Sequence, residues 1–100
     1  MRYEVFRRRL VEAVLNTPGD TPAELRRAAL ERAAVPGPLA PYVSKVVRHA
    51  YKITDSDVAQ LRDAGQSDDT LFEITVAAAV GAAVHRLDRG MAALRGEEPD

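Results

Sequence analysis

Apolar positions recur every three or four residues in five stretches of the chain, and no strand-like alternation is sustained anywhere, so the pattern predicts an all-α fold. The longest stretch, Asp68 to Arg95, organises the rest. A stripe at Phe72, Val76, Val80, Ala83, Leu87, Met91 and Leu94 keeps the helical period throughout. Between Leu71 and Val84, however, nearly every other position is apolar as well. A helix that is apolar all round needs cover on all sides. A chain of 100 residues has little else to supply it, so the expected cover is a copy of itself, paired through residues 68–95.

The earlier helices are bounded by turn chemistry. Tyr3 to Leu15 reads as the first, with Tyr3, Phe6, Leu10, Ala13 and Val14 on one side and Arg7, Arg8, Arg9 and Glu12 on the rest. Asn16-Thr17-Pro18-Gly19 stops it. Thr21-Pro22-Ala23-Glu24 has the form of a capping box, with Pro22 at the first helical position, and predicts a second helix running to about Ala34. Val35-Pro36-Gly37-Pro38 ends that helix. A third, about Leu39 to Tyr51, carries Leu39, Tyr42, Val43, Val46, Val47 and Ala50 at helical spacing. Its valines would also suit a strand, but no partner strand is visible elsewhere in the chain. Thr54 caps a short fourth helix with acidic residues in its first turn, Val58 and Leu61 point inward, and Gly65 closes it. The expectation is one domain over residues 1–96, a bundle of about five helices, with an exposed tail at 97–100.

Composition removes many chemistries. Cysteine is absent, which excludes disulfides, thiol catalysis and thiolate metal sites together. Aromatic residues make up 5% of the chain, so the core must be built from Ala, Val and Leu, which suits closely approaching helices. The segment Met1-Arg2-Tyr3-Glu4-Val5 lacks the apolar run of a signal peptide, and the Leu71–Val84 run is short and interrupted by Glu73. A cytoplasmic protein without a membrane span is therefore expected. Charge is divided unevenly: ten Lys/Arg against five Asp/Glu in residues 1–52, and four against ten in residues 53–100. The two halves can neutralise one another within the fold or between subunits. The sharper alternative is a basic nucleic-acid surface around Arg7–Arg9, but it lacks a second basic cluster and an aromatic platform. A helix-turn-helix reading of the fourth and fifth helices is opposed by Asp68, Asp69 and Glu73, which would place negative charge where a recognition helix meets phosphates.

Candidate site residues are few. His85 and Asp88 lie three apart and make half a metal site at most, so neither metal nor cofactor is expected. Glu73, alone in an apolar segment, is either a carboxyl whose pKa burial raises or the partner of a nearby arginine. Gly81 sits in the Ala-rich run with no strand–loop–helix context, and is expected to permit close contact between helices.

The segment from Ile53-Thr54-Asp55 through Asp63-Ala64-Gly65-Gln66-Ser67-Asp68-Asp69, continuing as Leu71-Phe72-Glu73-Ile74-Thr75-Val76 to His85-Arg86-Leu87, resembles the alkylhydroperoxidase-D-like (AhpD-like) and carboxymuconolactone decarboxylase-like superfamily over residues 50–94. The resemblance implies an all-helical, oligomeric protein. Peroxidase members use a Glu, a Cys-x-x-Cys pair and a His. Laid from Glu73, that spacing falls near His85, Asp88 and Ala92, without a thiol, so thiol peroxidase chemistry does not carry over. The resulting expectation is a small, oligomeric, non-catalytic accessory or interaction module. The enzyme alternative is a cysteine-free decarboxylase or isomerase acting on a small acid or lactone. It would use Glu73 and His85 for acid–base work, with Arg48, His49 or Arg86 holding a substrate carboxylate.

Overall fold

A computed structural model describes residues 2–96. It contains five α-helices: α1 (Arg2–Asn16), α2 (Ala23–Leu30), α3 (Ala40–Arg48), α4 (Asp55–Asp63) and α5 (Asp68–Leu94). A 3-10 turn at Ala50–Lys52 joins α3 to α4, and no strand occurs among the described residues. The all-α bundle is therefore the observed architecture. The expected tail at 97–100 lies outside the described residues.

The core forms where α2, α3 and α4 close on one side of α5. Ala29 and Leu30 of α2, Val43, Val46 and Val47 of α3, and Leu61 of α4 meet Leu71, Ile74, Ala77, Ala78 and Ala82. α1 lies along the same helix and contributes Val11 and Val14 at the edge of this core. Small residues on the inner side of α5 let its neighbours approach closely, and Gly81 marks the tightest point. A Cβ built there would stand 2.0 Å from the backbone oxygen of Leu30, the last residue of α2. The expectation of a close helix contact at Gly81 is met, and the contact is with α2.

Local chemistry explains most boundaries. At α4, Thr54 Oγ1 accepts the Asp57 N–H while the Asp57 carboxylate accepts that of Thr54, a complete capping box. Its C-terminus closes through Gly65, at φ 99°, with the Gln66 N–H donating to Leu61 O. Ser67 caps α5 by accepting the Thr70 N–H. Three expectations shift. α3 ends at Arg48 rather than Tyr51, because His49 leaves the helical region at φ −145°, and Ala50 is exposed. Thr21 does not cap α2: its hydroxyl is buried without a hydrogen-bond partner, and the carboxylate of Glu73 serves the adjacent backbone instead.

The third shift is at the end of α2, which stops at Leu30 rather than Ala34. Arg32 takes φ 60°, and the Ala33 N–H reaches back to Ala28 O at 2.8 Å. This is the same helix-ending turn as at Gly65, with an arginine where glycine carries no steric penalty. Arg32→Gly is expected to stabilise the fold by about 1 kcal/mol, the left-handed penalty less the entropy of a new glycine. A urea midpoint unchanged or lowered would contradict this.

By length and composition α5 passes the test for a membrane-crossing helix, with 39% of its apolar window buried inside the fold. That buried share is committed to α2 and α3, and the core helix of a soluble bundle passes the same test.

Candidate functional site

The side of α5 turned away from the bundle is the main exposed feature of the molecule. Phe72, Val76, Ala79, Ala83, Leu87, Gly90 and Leu94 are all exposed, Phe72 at 69% and Leu94 at 81%. They differ by three or four residues at each step and so share one side of the helix. The large members of the sequence stripe thus face solvent, and the small residues Ala77, Ala78, Gly81 and Ala82 face the core. Of the stripe, only Val80 and Met91 are half-buried. A shallow groove of about 490 Å³ runs along the C-terminal half, between Ala83, Arg86, Leu87, Gly90, Met91 and Leu94.

Two expectations for α1 bear on the same surface. Phe6 and Ala13, read as part of its inner side, are exposed. The inner side is rotated toward Arg7, Val11, Val14 and Leu15 because Arg7 turns inward to a carboxylate. Ala13 lines a groove with Phe72 and Val76, which places this edge of α1 beside the exposed side of α5. Phe6 is two helical turns before Ala13, on the same edge, and extends the apolar surface.

The predicted polar residues do not converge. Glu73 and His85 are twelve residues apart on α5, about 18 Å along its axis. The Glu73 carboxylate accepts the N–H groups of Asp20 and Thr21 at 2.9 and 2.7 Å, holding the turn that leads into α2. Gly19 makes room, since a Cβ there would stand 2.6 Å from a carboxylate oxygen of Glu73. His85 is exposed at the rim of a hollow of about 240 Å³ that also holds Arg7 and Asp88. Arg86 donates to Val47 O at 3.3 Å, near the end of α3. Arg48 is exposed beside a separate hollow against Arg32 and Val35. His49 is exposed and stands edge-on to Tyr51, with ring centres 5.9 Å apart. No group of three or more metal-ligating side chains occurs among the described residues.

Asp88 forms the best-defined polar cluster. Arg7 donates to both of its oxygens, at 2.9 and 3.0 Å, and the Tyr3 hydroxyl donates to one of them. The Arg7 guanidinium, reinforced by the Tyr3 hydroxyl, holds the Asp88 carboxyl below its ordinary value. One arginine of the Arg7–Arg9 run is thereby occupied within the fold, leaving Arg8 and Arg9 exposed.

Sequence reasoning missed Arg26. It is 8% exposed and donates to Val14 O at 2.8 Å and Thr17 O at 2.6 Å, satisfying carbonyls at the end of α1. The available signal was its spacing, three and four residues before the buried Ala29 and Leu30, which places all three on one side of α2.

Glu73 lies below the ordinary carboxylate range. The Thr21 hydroxyl beside it, the backbone N–H groups of Asp20 and Thr21, and the Arg26 charge all favour its ionised form. The hydroxyl is not aligned as a hydrogen bond, so the two N–H contacts are the firm ones. A depressed carboxyl contributes stability above its unfolded pKa, and that contribution is lost as pH falls through the folded value. Asp88 and Asp57 act in the same direction, Asp57 chiefly through the Lys45 ammonium. Asp20 acts oppositely, because sharing a proton with Asp69 raises its carboxyl. The thermal midpoint should therefore fall as pH drops below about 4, with Glu73→Gln flattening that acid limb. An identical limb in the variant would show that Glu73 is not bound as described.

No family model matches the chain, and no curated protein or solved structure is significantly similar to it.

Proposed function

We propose that the protein is a self-associating, non-catalytic helical module, in which the exposed side of α5 is covered by another copy of the chain. The carrying observation is the uninterrupted series of exposed apolar or small residues from Phe72 to Leu94, on the helix that also forms the core. Monomers seldom leave an apolar patch of this length uncovered, and such patches mark interaction surfaces. The accessible surface supports the same reading. At 6670 Å² for 10.9 kDa it exceeds the roughly 5,600 Å² usual for a compact monomer of this mass. Kinship with the alkylhydroperoxidase-D-like superfamily, without its thiol chemistry, and residence in the cytoplasm belong to this proposal. The polar residues considered for acid–base work already hold backbone groups or stand apart, and none of them favours the enzyme reading over assembly.

Sedimentation velocity across a concentration series tests it. The protein should shift from monomer to oligomer as concentration rises. Leu87→Asp, which puts a charge at an exposed position outside the core, should remain monomeric with unchanged helix content. Its dissociation constant is expected to rise at least about tenfold, the cost of burying one unpaired charge. A wild-type protein that stays monomeric at high concentration would overturn the proposal.

A further inference from the structure

The spacing of the exposed residues on α5 contains its own symmetry. With Ala83 as origin, the others lie four, seven and eleven residues away on both sides: Ala79 and Leu87, Val76 and Gly90, Phe72 and Leu94. A two-fold axis passing at Ala83, perpendicular to the helix, maps this series onto itself when the two helices run antiparallel. We infer that the occupant of this surface is a second copy of the chain, paired antiparallel through α5 with the helices crossing at Ala83. The inference rests on self-association as the proposed function and adds its geometry.

Side-chain volume selects the orientation. In the antiparallel pair Leu87 faces the partner's Ala79 and Val76 faces the partner's Gly90, so each large residue meets a small one. In a parallel pair Ala79, Ala83 and Gly90 would each face their own copies, leaving gaps, while Leu87 would meet Leu87. Close packing favours the first arrangement. The ends agree. Phe72 and Leu94 are eleven residues from the crossing, about 16 Å along the axis. Helices crossing at about 20° have parted by about 6 Å there, which gives this large pair room. Seven positions cover 22 residues in six steps, an eleven-residue repeat close to the natural helical period, so the series follows the axis with almost no supercoil. The interface is two-fold and self-complementary, which closes at a dimer. An area of a few hundred Å² per copy is at the small end for a stable interface, so the dimer is concentration-dependent.

The absence of cysteine makes the test direct, because single cysteines can be placed in the whole protein without background. Ala83→Cys should form an intermolecular disulfide under mild oxidation, since its Cα lies within about 7 Å of its copy at the crossing. Ala79→Cys alone should not, because the two copies of residue 79 are offset by eight residues, about 12 Å. Mixing Ala79→Cys with Leu87→Cys should give the mixed disulfide. Efficient self-crosslinking of Ala79→Cys would overturn the antiparallel arrangement while leaving self-association intact. A monomer that crosslinks at none of these positions would overturn both. Flotation of that monomer with phosphatidylcholine–phosphatidylglycerol vesicles would identify a lipid surface as the occupant instead.

Discussion

Gly81→Ala lowers the stability of the fold, although alanine is the better helix former. The ideal Cβ at Gly81 meets the backbone oxygen of Leu30 at 2.0 Å and its carbonyl carbon at 2.8 Å. Backbone cannot rotate aside as a side-chain tip can, so α2 must move as a unit and loosen Ala29 and Leu30 from the core. Overpacking of this kind costs about 3 kcal/mol, and the helical gain of alanine over glycine returns about 1. The net loss of about 2 kcal/mol corresponds to roughly 10 °C in the thermal midpoint of a domain this size. Gly90 supplies the control on the same helix, where a Cβ meets nothing within 4 Å. Gly90→Ala should gain about 1 kcal/mol. Measured by urea unfolding at low protein concentration, the two substitutions should thus move stability in opposite directions. Equal effects would show that α2 does not press on α5 at this point.

Arg26→Met produces the second large effect. Methionine keeps most of the apolar stem but removes both donors to the α1 carbonyls of Val14 and Thr17, and removes the cation near Glu73. Stranding partly buried acceptors and breaking a buried charge's compensation costs about 3 kcal/mol. The loss should appear as detachment of α1, with earlier exchange of its amide protons than of α3 and α5. Arg26 and Glu73 hold the two ends of the same connecting segment, residues 17–21, so their effects should not add. The double variant Arg26→Met with Glu73→Gln should lose less than the sum of the single losses. Strict additivity would mean that the segment is not clamped as one unit.

The helix count and the boundaries of α4 and the start of α5 were legible because their signals are local. Thr54, Gly65 and Ser67–Asp69 lie within a few residues of the backbone groups they satisfy. The close approach at Gly81 was legible because a glycine in an Ala-rich helix has few other uses. The end of α2 was not, since the left-handed position carries Arg32 instead of a glycine or asparagine. The orientation of α5 was hidden for a different reason. Both of its sides are apolar, and periodicity cannot say which is buried; the bundle took the small-residue side because α2 can approach nothing larger. Glu73 was visible as an acid out of place, but its partners are the backbone of residues more than fifty positions earlier. A backbone N–H carries no mark of its partner in sequence. Arg26 was overlooked because its hydrogen bonds reach across to another helix.

The alanine-built interior has a calorimetric consequence. Ala29, Ala77, Ala78 and Ala82 are almost wholly enclosed, yet each brings little apolar surface to be hydrated on unfolding. The heat capacity of unfolding scales with that surface, and about 1.2–1.5 kcal/mol/K is usual for a chain of this length. Here it should fall below that range, with a correspondingly shallow urea dependence. The stability curve is then flat, and the folded state changes little in population between cold and physiological temperature. When copies separate, each would expose Phe72, Leu87 and Leu94 at once, so most of the heat-capacity change would accompany dissociation instead of the opening of the core.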